Sequence, residues 1–171
     1  TDGGTFEYGS LFSFDPAANQ FQALVYFGDT QLRTPTGPLL YYNNKFYGTT
    51  TFGGTHQDGG IYEYDPLLDI RTDKVSFERA TTGRVYFDGG FTLLNNKFYA
   101  VATFGGAFNG GTLLKYDPAT NTLLNRHDFD VVTGSEPHAQ LTVFNGKLYG
   151  VCSKGGINDK GIIYEFDPTT N

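Results

Sequence analysis

Apolar and polar residues alternate along this chain in short runs. Leu11-Phe12-Ser13-Phe14, Ile61-Tyr62-Glu63-Tyr64, Leu113-Leu114-Lys115-Tyr116 and Ile163-Tyr164-Glu165-Phe166 are four versions of one pattern. Period two predicts strands, because successive side chains point to opposite faces of a sheet. Phe12, Tyr62, Leu114 and Tyr164 then share a face with Phe14, Tyr64, Tyr116 and Phe166. Ser13, Glu63, Lys115 and Glu165 fall on the other face, which is expected to be the wetter one. A second alternating run, Gln140 to Phe144, leads into Asn145-Gly146, and Lys147 to Cys152 runs back. Asn-Gly between two such runs signals a hairpin whose turn needs positive φ twice. Asn43-Asn44 and Asn95-Asn96 suit the same turn, since Asn tolerates the left-handed region. Asp-Pro-x-x-Asn follows the first pattern at Asp15 to Asn19, Asp117 to Asn121 and Asp167 to Asn171, with Asp69 closing the second copy. Pro presets φ and Asp bonds the backbone ahead of it, so this is another tight turn. A fourth strand is expected at Phe21 to Phe27, Lys74 to Arg79 and Leu123 to Phe129.

These elements return in step. Gly-Gly stands at Gly3-Gly4, Gly53-Gly54, Gly105-Gly106 and Gly155-Gly156, at intervals of 50, 52 and 50 residues. A period near 50 predicts one four-stranded supersecondary unit per repeat, which needs neighbours to bury its faces. The fold class is therefore all-β, a β-propeller of four-stranded antiparallel blades, with about three and a half blades in this chain. One repeat domain covers 1–171, with units at about 1–48, 49–100 and 101–150 and a partial unit at 151–171. The first and last pieces are alike in kind, so the chain is expected to be part of a larger propeller or assembly. The expected partners are a second copy of the chain or the rest of a longer propeller chain, with glycan as a further candidate.

Composition narrows the function. The chain holds 16 Phe, 12 Tyr and 23 Gly, which suits pleated half-buried surfaces and tight turns. A net charge of -6 lacks the basic footprint that nucleic acid or an anionic membrane requires. No apolar run approaches the roughly 18 residues of a membrane span. No signal peptide is visible, as for a mature secreted chain. Cys152, the single cysteine, aligns with Thr50 and Ala102 and reads as a buried inert thiol.

Phe46-Tyr47-Gly48-Thr49-Thr50-Thr51-Phe52-Gly53-Gly54 with Gly59-Gly60-Ile61-Tyr62 resembles the Gloeobacter/Verrucomicrobia tandem repeat of large bacterial surface and secreted proteins. Leu148-Tyr149-Gly150-Val151 with Gly155-Gly156 repeats the string. The unit is also similar to the kelch repeat, although kelch repeats usually carry Trp where Phe21, Arg71 and Leu123 stand, and this chain has none. The resemblance implies a propeller in an extracellular or cell-surface setting, with a role in binding, adhesion or assembly. It implies no single activity, because a propeller is a scaffold.

Connections in such a unit alternate between the two ends of the sheet. The Asn and Asp-Pro turns share one end. The Gly-Gly loops and the segments between units share the other, where the sequence varies most. Loops held by a rigid scaffold are where binding residues concentrate. The expected ligand-binding residues are therefore Phe6, Tyr8, His56, Asp58, Arg84, Phe108, Asn109, His138, Asn158 and Asp159. Aromatics beside amides and acids, as in Phe108-Asn109, suit a sugar face, so the first alternative function is a glycan-binding lectin. The second is a polysaccharide-active lyase or hydrolase, for which no nucleophile motif is present. No catalytic residue, resident metal or cofactor is expected, since His56, His127 and His138 lie in no ligand spacing. Asp58, Asn158, Asp159 and the pair Asp128 and Asp130 offer hard oxygens that would suit only Ca2+, without an Asp-x-Asp-x-Asp-Gly loop. Glu136-Pro137-His138 reads as a turn between units.

Overall fold

A computed structural model describes residues 8–28, 31–84 and 89–170. Among them are 13 strands: β1 (Ser10–Asp15), β2 (Gln20–Tyr26), β3 (Arg33–Tyr42), β4 (Lys45–Phe52), β5 (Gly60–Asp65), β6 (Ile70–Ser76), β7 (Thr92–Leu94), β8 (Lys97–Ala102), β9 (Thr112–Asp117), β10 (Thr122–Asp128), β11 (Ser135–Phe144), β12 (Lys147–Lys154) and β13 (Ile162–Phe166). Their only helical companion is a single 3-10 turn at Ile157–Asp159. The strands form four antiparallel meanders, β1-β2, β3-β4-β5-β6, β7-β8-β9-β10 and β11-β12-β13.

The turn chemistry explains the meander. Asn43 and Asn44 have φ of 48° and 61°, Asn95 and Asn96 51° and 58°, and Asn145 and Gly146 49° and 76°. Two positive φ values in succession match the twist of the flanking strands. In each Asp-Pro turn the carboxylate accepts the N–H two residues on: Asp15 from Ala17 at 2.8 Å, Asp65 from Leu67 at 2.9 Å, Asp117 from Ala119 at 3.0 Å and Asp167 from Thr169 at 2.9 Å. The closing residues Asn19, Asp69 and Asn121 are left-handed. Asp69 and Asn121 also accept the hydroxyls of Tyr64 and Tyr116 at 2.7 and 2.8 Å, which ties each turn to its own core.

Each inner sheet is buried on both faces. Tyr62, Tyr64 and Phe46 pack with Leu11, Phe27 and Leu32 on one side. From the opposite face, Tyr47 and Ile61 pack with Phe98, Ala100, Leu114 and Tyr116 of the β7–β10 sheet. That sheet in turn presents Tyr99, Val101 and Leu113 to Leu148, Cys152 and Phe166. The four sheets thus stack in series. Burial follows this stacking rather than the strand period alone, and two expectations fail for that reason. Glu63, expected on a wet face, is 8% exposed because the β7–β10 sheet covers it. Phe12 and Phe14, expected in a core, are 56% and 53% exposed because no described element covers them.

Two strand assignments also change. The fourth strand of the second unit runs Ile70–Ser76 rather than from Lys74 to Arg79, because the turn closes at Asp69. Phe77 leaves the sheet and buries its ring in the next core. Glu136-Pro137-His138 is not a turn between units but lies inside β11, kinked by positive φ at Glu136 and Ala139.

One close approach recurs across the sheets. Gly48 stands opposite Tyr62, and Gly150 opposite Tyr164. A Cβ on either glycine would collide with the phenol ring of its partner. In the third sheet the same pair is Ala100 and Leu114, a larger residue facing a smaller ring-free one.

Candidate functional site

The three described Gly-Gly loops share two backbone hydrogen bonds, although the last also carries a 3-10 turn with left-handed Asn158. Gln57, Asn109 and Asp159 all have positive φ, and their N–H groups donate to Gly54, Gly106 and Gly156 at 3.2 to 3.3 Å. Gly59, Gly111 and Gly161 then donate to Gly53, Gly105 and Gly155 at 3.0 to 3.1 Å. The tip residues are His56, Phe108 and Asn158, all exposed, Phe108 by 64%, and Asn158 is itself left-handed. The three described binding loops thus share a hydrogen-bond pattern, each showing a different side chain at its tip.

Several of the other expected residues hold that frame together. Asp58 accepts the backbone N–H of Arg79 at 2.8 Å, and Asp159 accepts that of Gly155 at 2.6 Å. Asn109 supplies a left-handed turn residue. Arg84 donates to the Thr51 carbonyl at 3.3 Å and lies 4.2 Å from the Phe52 ring centre. Tyr8 carries the Arg33 guanidinium 5.1 Å from its ring. His138 is exposed on β11 opposite Val151. Phe6 lies outside the described residues. Of the calcium-type oxygens, Asp128 is engaged by the Ala107 N–H at 2.8 Å and Asp130 by those of Val132 and Thr133 at 2.8 and 2.7 Å. Among the described residues no group of three or more His, Cys, Asp or Glu is gathered for a metal.

A polar network occurs where no site was expected. Lys45 donates to Glu63 at 2.7 Å, the Tyr47 hydroxyl donates to the other carboxylate oxygen at 2.7 Å, and Lys74 lies 3.7 Å away. Burial opposes the Glu63 charge, but these hydrogen bonds and the lysine charge outweigh it and hold the carboxyl below its ordinary range. The same trio recurs as Lys147, Tyr149 and Glu165, there on an exposed face. Lys-x-Tyr with Glu 18 residues after the Lys is legible at both places in the sequence.

Open cavities among the described residues include three that are lined by no expected site residue, although Glu165 borders the first of them. One of about 440 Å³ opens between Leu113, His127 and Phe129 on one sheet and Tyr164, Phe166 and Asp167 on the next. One of about 310 Å³ lies between Leu11, Phe12, Leu24, Phe46 and Tyr64. The third, about 260 Å³, adjoins it beside Pro35 and Thr36. Cys152 is buried against the β7–β10 sheet, and burial pushes its thiol up to about 12. It should react with a thiol reagent only at the rate of unfolding, and reaction as fast as a free thiol would contradict this burial.

A model of the Gloeobacter/Verrucomicrobia repeat matches residues 1–171. The chain belongs to this repeat family. No curated protein matches this Gloeobacter/Verrucomicrobia repeat chain. Among solved structures, it is similar to a mutant puromycin hydrolase crystallised in complex with PGG, with a TM-score of 0.56 and 16% identity. That likeness covers 88% of the repeat chain and 21% of the hydrolase, and it speaks for the fold alone.

Proposed function

We propose that this repeat chain is a run of β-propeller blades that serves binding and structural assembly rather than catalysis, in the secreted or surface setting its family resemblance implies. The observation that carries this reading is the chemistry of its two uncovered faces. Tyr149, Val151, Ile163 and Glu165 occupy the positions of Tyr47, Thr49, Ile61 and Glu63, which the neighbouring β7–β10 sheet buries. Yet Ile163 is 80% exposed. At the other end Phe12 and Phe21 stack at 5.0 Å in the open, where the equivalent Tyr62 is covered. Each outer face is a copy of one half of an internal interface, so another unit of the same repeat suits it, whether from the rest of a longer propeller chain or from a second copy placed head to tail.

The propeller arrangement is supported by the first strands. A Cβ on Gly37 would sit 3.3 Å from the Gly89 carbonyl, and one on Gly89 3.6 Å from that of Ala139. Thr92 donates to the Leu141 carbonyl and Gln140 to that of Phe91, both at 2.7 Å. Sheets that meet along their first strands and pack face on face fan about a common line, as blades do.

Light scattering over a concentration series tests the assembly. Mass should rise with concentration. Ile163→Lys should weaken the association at least about tenfold, because burying one such side chain contributes about 2 kcal/mol. A monomer at every concentration would refute the reading.

A further inference from the structure

The trio of Lys, Tyr and Glu found in the second and fourth sheets is altered in the third. Glu63 stands opposite Tyr47 and Glu165 opposite Tyr149, but the residue opposite Tyr99 is Lys115. Lys97 keeps the place of Lys45 and Lys147. The residue that β6 leaves out of register is Lys74, and its counterpart in β10 is Arg126. A carboxylate among cations has thus been replaced by one more cation, while the phenol and its basic neighbours are kept. All of these third-sheet residues lie in β8, β9 and β10, which are consecutive strands of one four-stranded sheet.

The second sheet shows what the carboxylate does there. One oxygen of Glu63 accepts from Lys45 and the other from the Tyr47 hydroxyl, both at 2.7 Å, and Lys74 lies 3.7 Å from the second oxygen. In the third sheet Lys97 turns to Asp117 at 2.7 Å. The side chains of Tyr99, Lys115 and Arg126 have no hydrogen-bond or ion-pair partner among the described residues. Tyr99 is 2% exposed, so its hydroxyl is a buried donor without an acceptor, which is costly. Burial pushes that hydroxyl above its ordinary range, against the pull of the Arg126 and Lys97 charges, so it keeps its proton and can donate. Lys115 starts about 5 Å from it on the next strand, and Arg126 brings a second positive charge to the same place. An anion set between them would satisfy the donor and relieve the repulsion of like charges.

We propose that Tyr99, Lys115 and Arg126 form a binding site for a small organic carboxylate, held where Glu63 and Glu165 hold theirs in the sister sheets. Tyr99 donates to one oxygen, and Lys115 supplies charge from the facing strand. Arg126 stands where Lys74 does, and its planar fork matches the two oxygens of a carboxylate better than an ammonium would. Because the hydroxyl is deeply buried, only a slim ligand reaches it. The site belongs to one sheet, so it exists in a single chain and in any assembly alike.

Thermal unfolding of the whole chain at neutral pH, in sodium acetate against sodium chloride at equal ionic strength, tests the site. Acetate at about ten times its Kd should raise Tm by roughly 3–6 °C over chloride, and the rise should saturate. Tyr99→Phe and Arg126→Gln should each raise the acetate concentration for half the effect by at least about tenfold, as loss of a buried or charged hydrogen bond does. Lys115→Glu should raise Tm in chloride, because it rebuilds the sister trio, and should abolish the response to acetate. Equal shifts in acetate, chloride and sulfate would mean screening alone and overturn the proposal. So would a response that survives in Lys115→Glu, or a Lys115→Glu protein that unfolds at a lower temperature than the wild type. None of these outcomes depends on whether copies of the chain associate.

Discussion

Gly48→Ala is expected to destabilise the protein by about 2–3 kcal/mol, as overpacking of a tight core does, and to lower Tm by roughly 5–10 °C. Backbone entropy alone predicts the opposite sign, since glycine in a strand costs about 0.5–1 kcal/mol relative to alanine. The collision with the Tyr62 ring decides the outcome. That ring is 3% exposed and cannot swing away, because Phe27 packs edge-on against it at 5.1 Å and Arg71 lies 5.9 Å from its centre. The third sheet shows the compatible alternative, Ala100 opposite Leu114. Tyr62→Leu should therefore recover much of the loss when combined with Gly48→Ala, although it destabilises the protein when made alone. Urea unfolding of the two single variants and the double gives the coupling directly. A Gly48→Ala protein as stable as the wild type would mean that the ring yields.

Glu63→Ala should cost about 2 kcal/mol. Removing one partner of a buried charge group costs about 3–5 kcal/mol, and the Lys45 side chain, 36% exposed, places this site below that range. Glu165→Ala removes the same bonds from a side chain that is 43% exposed and should cost clearly less than Glu63→Ala. The contrast isolates the effect of the covering sheet. The pH dependence has a definite sign. The folded Glu63 carboxyl lies below its ordinary value, so its contribution is present above the ordinary carboxyl range, about 4.3, and is lost as pH falls through the folded value. Urea midpoints should fall with acid more steeply for the wild type than for Glu63→Gln. Parallel slopes would show that Glu63 gains no net stability from its partners.

Local chemistry made the strands and turns legible. Asn-Asn, Asn-Gly and Asp-Pro-x-x-Asn specify φ values within four or five residues, and the sheets hold two, four, four and three strands as the repeats suggest. Exposure was less legible, because it depends on which sheet lies alongside. Ser13 and Glu63 occupy equivalent strand positions, but only Glu63 is buried. The candidate loop residues were read chiefly from variability, and part of what varies proves to be turn geometry, as at Asn109 and Asp159. The cavity beside β13 had no local signature at all. It arises from the spacing of Phe129 and Phe166 across two sheets.

The interface between sheets also bears on how such a chain changes over evolution. Tyr47, Ile61 and Glu63 meet their neighbour through residues that reappear as Tyr149, Ile163 and Glu165 two units later. A gene that gains or loses a pair of units at this boundary would join matching surfaces without further substitutions. The length of the array is then free to drift while each junction stays the same, so the number of units can change by recombination rather than by redesign of their contacts.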